Sequence, residues 1–474
     1  MGKAREGLDR RQLIQTLGLA GAGVALGCRP SELAVGYRGE IEKRVLATPF
    51  VDTHEHFADE VDRLAGAALP CDDWSVLLYD YVALDLLAAG MPQKDHDTLF
   101  ERGIDPLQKW RVLEPYWPQV MHTGFGRAAR ISMQELYGID HLGESTITAL
   151  QSTYEELRQP GFYKKILFEV ANIESCQVNT QGLPFHQSRQ PALLMQDLSF
   201  LELHIDPDIE VLAKPAGVQV ESLEDWHEVI RFWFDGYAAF AVAAKSQGAY
   251  LRGLNYRRVE AEEAAPVFAR MLSGEKPPLA ERKLVEDHLF WFCVDLATRN
   301  HLPVKIHTGY LAQSAGTQFR QITDHPHDII ELCRRSPETR FVFLHIGYPY
   351  REELIAIAKQ FPNAHIDMSW SWILDPAAAR DFLERFLVTA PSNKLFTFGG
   401  DYSVIECASG HARMARQGIT RTLSDLVDQG WMGASEAIDL VDPLMRGNAT
   451  RFFSLEDKTR RLSQVPWVGA EEGT

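Results

Sequence analysis

From about residue 160 to Asp401 the chain alternates short, continuous apolar runs with longer stretches whose apolar residues recur at helical spacing. Continuous runs of about four to eight apolar residues are the pattern of strands buried on both faces, and such strands occur in parallel sheets covered by helices. The runs are "CQVNTQ" (176–181), "SFLELHID" (199–206), "AFAVAAKS" (239–246), "LPVKIHTG" (302–309), "RFVFLHIG" (340–347), "AHIDMSW" (364–370) and "LFTFGGD" (395–401). An earlier run, "FVDTHEHF" (50–57), brings the set to eight.

The connectors carry helix signals. "SLEDWHEVIRFWFDGY" opens on Ser222 with Asp225 three residues on, the spacing of a capping box. "AERKLVEDHLFWFCVDLATRNH", "PHDIIELCRRS", "REELIAIAKQF" and "PAAARDFLERFL" continue the series. Strand and helix in alternation, with no Gly-rich phosphate loop after any strand, predict a (β/α)8 TIM barrel over residues 45–455 rather than a doubly wound sheet.

Residues 58–160 do not fit a barrel unit. A connection that long needs structure of its own, and its helical, aromatic-rich sequence predicts a helical insertion after the first strand. Leaving the carboxyl end of a strand, the insertion belongs over the active-site face. Its aromatics (Trp74, Tyr79, Tyr81, Trp110, Tyr116 and Trp117) read first as its own core. Residues 456–474 read as a C-terminal tail.

The ends of the apolar runs carry the chemistry. Alternate residues of a strand point the same way, so His54 and His56 can converge. His307, His345 and Asp401 each follow an apolar run at its carboxyl end, where (β/α)8 enzymes gather catalytic groups from several strands. His54, His56, His307 and Asp401 together offer the imidazole nitrogens and carboxylate oxygen that a divalent metal such as zinc binds.

A net charge of −17 over 474 residues argues against nucleic acid or an anionic bilayer as partner and leaves a small-molecule substrate. Six cysteines without CxxC spacing give neither a disulfide framework nor a thiolate zinc site. Residues 1–30 pair Arg10-Arg11 with a mildly apolar Ala/Gly-rich run ending before Cys28, the pattern of a twin-arginine export signal with a candidate lipidation site. That reading predicts a periplasmic or lipid-anchored protein, and a cytoplasmic one if the signal is not used. No later segment is apolar enough to span a bilayer. Self-association into a homo-oligomer is left open.

An HxH after the first strand, histidines ending the fifth and sixth, and an aspartate ending the eighth resemble the amidohydrolase superfamily. "KIHTGY", "FLHIGYPY" and "FGGDY" followed by "ASGHARMAR" resemble its amidohydrolase-related branch, which includes uronate-isomerase-like proteins and nonoxidative decarboxylases. The resemblance runs from about residue 45 to about residue 455. It implies metal ligation by His54, His56, His307 and Asp401, and that His345 polarises or deprotonates water or substrate. Lys245 stands near the end of the fourth strand, where binuclear members place a bridging carboxylated lysine or glutamate; it bridges two metals or contacts substrate. One zinc ion is the expected complement, with two as the alternative.

The leading reading is metal-dependent hydrolysis of an amide, lactone or ester. A second keeps the metal but turns to lyase or isomerase chemistry, with Arg252, Arg257 and Arg258 as candidates to clamp a substrate acid. A third, a non-catalytic binder of small acids, leaves the proton carriers Asp401 and His345 without a purpose. Trp370, Trp372, Glu406 and His411 are further candidates to contact substrate.

Overall fold

The computed structural model describes residues 33–66, 68–180, 182–312 and 319–468. The expected export signal, with Arg10-Arg11 and Cys28, lies outside the described residues. Among the described residues nine strand segments run in parallel: β1 (Phe50–Glu55), β2 (Ile173–Val178), β3 (Leu194–Gln196), β4 (Leu198–Ser199), β5 (Ala244–Ser246), β6 (Val304–Ile306), β7 (Phe341–Phe343), β8 (Ala364–Asp367) and β9 (Leu395–Phe396). They pair in chain order as β1-β2-β3 and β4 through β9.

Backbone hydrogen bonds join these two arcs into a ring. β3 and β4 are halves of one stave interrupted at Asp197, whose N–H donates to Val178 O at 2.8 Å. Gln196 O accepts from Val242 N–H at 3.0 Å, and Leu198 N–H donates to Ala243 O at 2.8 Å. On the other side Thr53 N–H donates to Phe398 O at 3.0 Å and Asp401 N–H to His54 O at 2.9 Å. The result is a closed (β/α)8 barrel.

Most connectors form as their sequences predict. Helices span Leu223–Tyr237, Leu279–Arg299, Phe319–Arg335, Arg351–Gln360 and Pro376–Thr389. Ser222 caps the first of these by accepting from Asp225 N–H, and Asp225 Oδ2 reaches back to Glu221 N–H at 3.0 Å, one residue before the N–H of the expected box. The third stave departs from expectation. It lies at 194–199, upstream of most of "SFLELHID", and Leu201–His204 is helical. Asp197 points into the barrel toward Lys305 and Gln196 beside it is also polar, so the run lacks the continuous apolar signature by which the other staves are read.

The segment between β1 and β2 is helical from Glu60–Leu64 to Glu144–Leu157. Trp74, Trp110 and Trp117 are buried in its packing. Its helix Gly124–Tyr137 seats on the last long helix, Ala408–Asp428, at Gly410, where a Cβ would stand 2.0 Å from Ala128 O. The described part of the residues read as a C-terminal tail is packed: Leu455–Leu462 is a helix whose Leu455 and Leu462, with Val465, pack against Val51, Met195, Val342 and Phe396. Lys458 donates to Ala238 O and Ala239 O, just before β5, so this helix plugs the amino end of the barrel. The five described cysteines are buried free thiols. No helix among the described residues is long and apolar enough to cross a membrane.

Inside the barrel the polar interruption at Asp197 has its partner. Lys305 of β6 donates to both Asp197 oxygens at 2.9 Å and to Thr53 O at 2.8 Å, and neither side chain is exposed at all. Removing one member leaves the other charge buried and unpaired, which costs about 3–5 kcal/mol. Lys305→Met is therefore expected to lose stability on that order in chemical denaturation, and Asp197→Leu/Lys305→Met to lose less; equal losses would mean the pair is not the source of the effect.

Candidate metal centre

Left-handed backbone gathers at the carboxyl ends of the staves. His345, Ile346, Trp370 and Asp401 all have positive φ, at 64°, 50°, 67° and 62°. For side chains of this size the left-handed region costs about 1–3 kcal/mol each and persists only where the surroundings enforce it. β9 ends at Phe396, and Gly399-Gly400 carry the chain from there to Asp401. A Cβ at 400 would stand 1.9 Å from Glu55 Oε1, so any larger residue there would displace the Glu55 carboxylate. That close approach brings Asp401 alongside β1.

His54, His56 and Asp401 form a group whose ligand atoms all lie within 4.8 Å of one another. Asp401 Oδ1 is 3.0 Å from His54 Nε2 and 3.2 Å from His56 Nε2, and Oδ2 is 3.7 Å from His345 Nε2. His345 Nε2 is also 3.0 Å from His307 Nδ1. His307 is thus next to the group but faces His345 rather than Asp401.

The outer ring nitrogens settle what the inner ones present. His56 Nδ1 lies 2.7 Å from Asn179 O, His307 Nε2 3.0 Å from Tyr310 O, and His345 Nδ1 3.1 Å from Ser369 O. A carbonyl only accepts, so each of these nitrogens carries the proton, and a neutral ring then turns a bare lone pair inward. Three lone pairs and a carboxylate converge in a buried space. Protons do not fill it readily: burial holds His54 and His307 well below the usual imidazole range and His345 at about 4. Burial raises the Asp401 carboxyl, and pairing with His54 and His345 in their charged form takes it back well below the ordinary range. Imidazoles tied back to backbone carbonyls around one carboxylate are the donor set and outer-shell arrangement of a divalent metal site. The residues fit the group. Asp401 is 10% and His56 18% exposed, so among the described residues of the cluster these two reach solvent.

The other candidates separate cleanly. Lys245 is buried with its Nζ 3.4 Å from His54 Nε2. Trp370 is buried edge-on to His345 at 5.5 Å, whereas Trp372 turns away to donate to Thr397 O at 2.8 Å. The arginines lie elsewhere. Arg252 pairs with Glu286 at 2.8 Å and Asp287 at 2.6 Å on the helix Leu279–Arg299, because it lies over that helix rather than the barrel mouth. Arg257 pairs with Glu263 at 2.5 Å and Arg258 with Asp295 at 2.6 Å. Glu406 accepts from Arg63 at 3.0 Å within a buried network that includes Asp72 and Tyr154, so it ties the insertion to the start of the helix Ala408–Asp428. His411 is buried against Phe398 and Tyr402, behind the Gly400 turn, with burial pushing it down to about 3.

Several site residues have no motif to betray them. Asn179, Tyr310 and Ser369 act through backbone carbonyls, which any residue supplies. Gln247, whose amide lies 3.1 Å from His56 Nε2, is two residues beyond Lys245 and is legible only once the strand's end is known. Beneath the site Glu55 accepts from Tyr402 N–H at 2.7 Å and Asp52 from His54 N–H at 3.1 Å.

A family model described as "Amidohydrolase" matches residues 185–455, more than half of the chain. The chain belongs to the amidohydrolase family. The fold is similar to that of uronate isomerase from Thermotoga maritima, with a TM-score of 0.72 at 15% identity, covering 88% of this chain and 97% of that one. A suspected metal-dependent hydrolase from Lactobacillus casei aligns with a TM-score of 0.61 at 16% identity, over 88% of this chain and 98% of that one. In sequence the chain is 24% identical over 231 residues to "Protein fluG" of Emericella nidulans, covering 46% of this chain. It spans about a quarter (26%) of that relative's length. At these identities the solved structures establish the amidohydrolase barrel and not the reaction.

Burial pushes Lys245 from 10.5 to about 7. Between those values the unfolded chain binds a proton that the folded protein does not, so stability rises with pH across the window. In chelator-treated protein, Lys245→Met is expected to remove up to about 1.4 kcal/mol per pH unit of that slope. Denaturation midpoints at three pH values between 7 and 10.5 measure it; an unchanged slope would show that Lys245 remains charged when folded.

Proposed function

We propose that this amidohydrolase is a metal-dependent hydrolase that cleaves a C–N or C–O bond of a small amide, lactone or ester. The observation that supports this reading is the division of labour within one carboxylate. Asp401 Oδ1 faces His54 and His56, while Oδ2 faces His345 Nε2 at 3.7 Å. One oxygen is placed to hold an ion and the other to carry a proton.

His54, His56 and Asp401 Oδ1 would hold a single divalent ion, by donor type zinc, with His307 and His345 lining it. Such an ion supplies Lewis-acid polarisation and brings water's pKa from 15.7 toward about 7. Asp401 Oδ2 takes the proton of the attacking water and returns it to the leaving nitrogen or oxygen. His345, with its proton committed to Ser369 O, offers a bare Nε2 that aligns this water as an acceptor. Lys245 is placed to contact substrate, or to bridge a second ion if its amine is carboxylated.

The alignment over nearly the whole length of uronate isomerase supports a second reading, isomerase or lyase chemistry on a hydroxy acid at the same centre. The engagement of Arg252, Arg257 and Arg258 in ion pairs away from the site weighs against the clamp that reading was expected to use.

The reaction in 18O-labelled water distinguishes them. Hydrolysis is expected to place label in the new carboxyl or hydroxyl group, with turnover lost after chelation and Asp401→Asn slowing kcat by about 10²–10⁴. An unlabelled rearranged product would favour the second reading, and full turnover by verified metal-free protein would remove both.

A further inference from the structure

Asp401 works from a left-handed backbone position, which a non-glycine residue adopts at some cost, and the surroundings brace its peptide on two sides. On one side β1 does so: Asp401 N–H donates to His54 O at 2.9 Å, and His56 N–H donates to Tyr402 O at 2.9 Å. On the other side the support comes from the helical insertion. The Tyr81 hydroxyl donates to Asp401 O, and its neighbour Asp80 accepts from Ser403 N–H at 3.0 Å, from Val404 N–H at 2.9 Å and from the Ser403 hydroxyl.

Tyr81 is itself fixed. Its ring stacks on Phe125 at 5.0 Å and on Trp370 at 5.2 Å, leaving it 7% exposed. A rigid ring therefore aims one hydroxyl at the carbonyl of the residue whose carboxylate faces His54 and His56. Stacking would hold the ring in place without that hydroxyl.

We propose that Tyr81 is a positioning residue: its hydroxyl pins the Asp401 peptide so that the carboxylate completes the ion site, which makes the insertion part of the metal centre rather than only its cover. This rests on the metal reading above. Outer-shell partners of metal ligands are commonly worth about 10–100-fold in metal affinity, and Tyr81 acts at that remove.

The test uses full-length protein titrated with Co2+ as a spectroscopic probe, in wild type, Tyr81→Phe and Phe125→Leu. Tyr81→Phe deletes only the hydroxyl; it is expected to weaken Co2+ binding about tenfold or more and to alter the visible ligand-field spectrum, with the far-UV circular dichroism unchanged. Phe125→Leu loosens the ring stack but keeps the hydroxyl, and is expected to keep the wild-type spectrum. Wild-type affinity and spectrum in Tyr81→Phe would overturn the role of Tyr81 alone. Equal losses in both variants would overturn it as well, as a general effect of packing. A wild-type protein that takes up no cobalt would overturn the metal reading itself.

Discussion

Imidazole lone pairs and a carboxylate brought within about 3–4 Å in a space nearly closed to water repel one another unless positive charge lies between them. His54, His56 and His345 are arranged around Asp401 in that way, with His307 against His345 and three outer nitrogens committed to backbone carbonyls. Burial disfavours charging the rings with protons, so the cluster makes chemical sense as the receptor for a cation. The barrel does not merely contain this cluster; closing the ring between β1 and the turn after β9 creates it, since the backbone bond from Asp401 to His54 is one of the bonds that close the barrel.

The arrangement is bought with local strain and a polar interior. Four positive-φ residues gather at the strand ends, and a Lys305–Asp197 pair sits unexposed in the core. Both are unfavourable in isolation and tolerable only inside a large apolar framework. The aromatic stack of Tyr81, Phe125 and Trp370 supplies part of that framework, and its members come from the insertion and from the turn after β8. A site of this kind therefore depends on the insertion for its backbone geometry as well as for its shelter.

Much of this was legible beforehand because it follows from local pattern. Apolar continuity marks strands such as Phe341–Phe343, and the Ser222–Asp225 pair marks a helix start. His54 and His56 share a direction through the two-residue period of a strand. Where the pattern is interrupted for a tertiary reason, reading failed: Gln196 and Asp197 hid the third stave, and the helix Leu455–Leu462 passed for a tail because its few apolar residues matter only against the barrel's end. Arg252, Glu406 and His411 lie near the site in sequence, yet ion pairs and burial take each away from it.

By itself the sequence determined the barrel, the long helical insertion and the residues able to bind metal, because periodicity and residue chemistry are properties of short segments. Only the tertiary structure decided that His307 faces His345, that the arginines serve neighbouring helices, and that Tyr81 reaches Asp401 across 320 residues of chain. Those outcomes depend on which groups meet when the ring closes, and a hydrogen bond to a backbone carbonyl leaves no trace in the identity of the residue that accepts it.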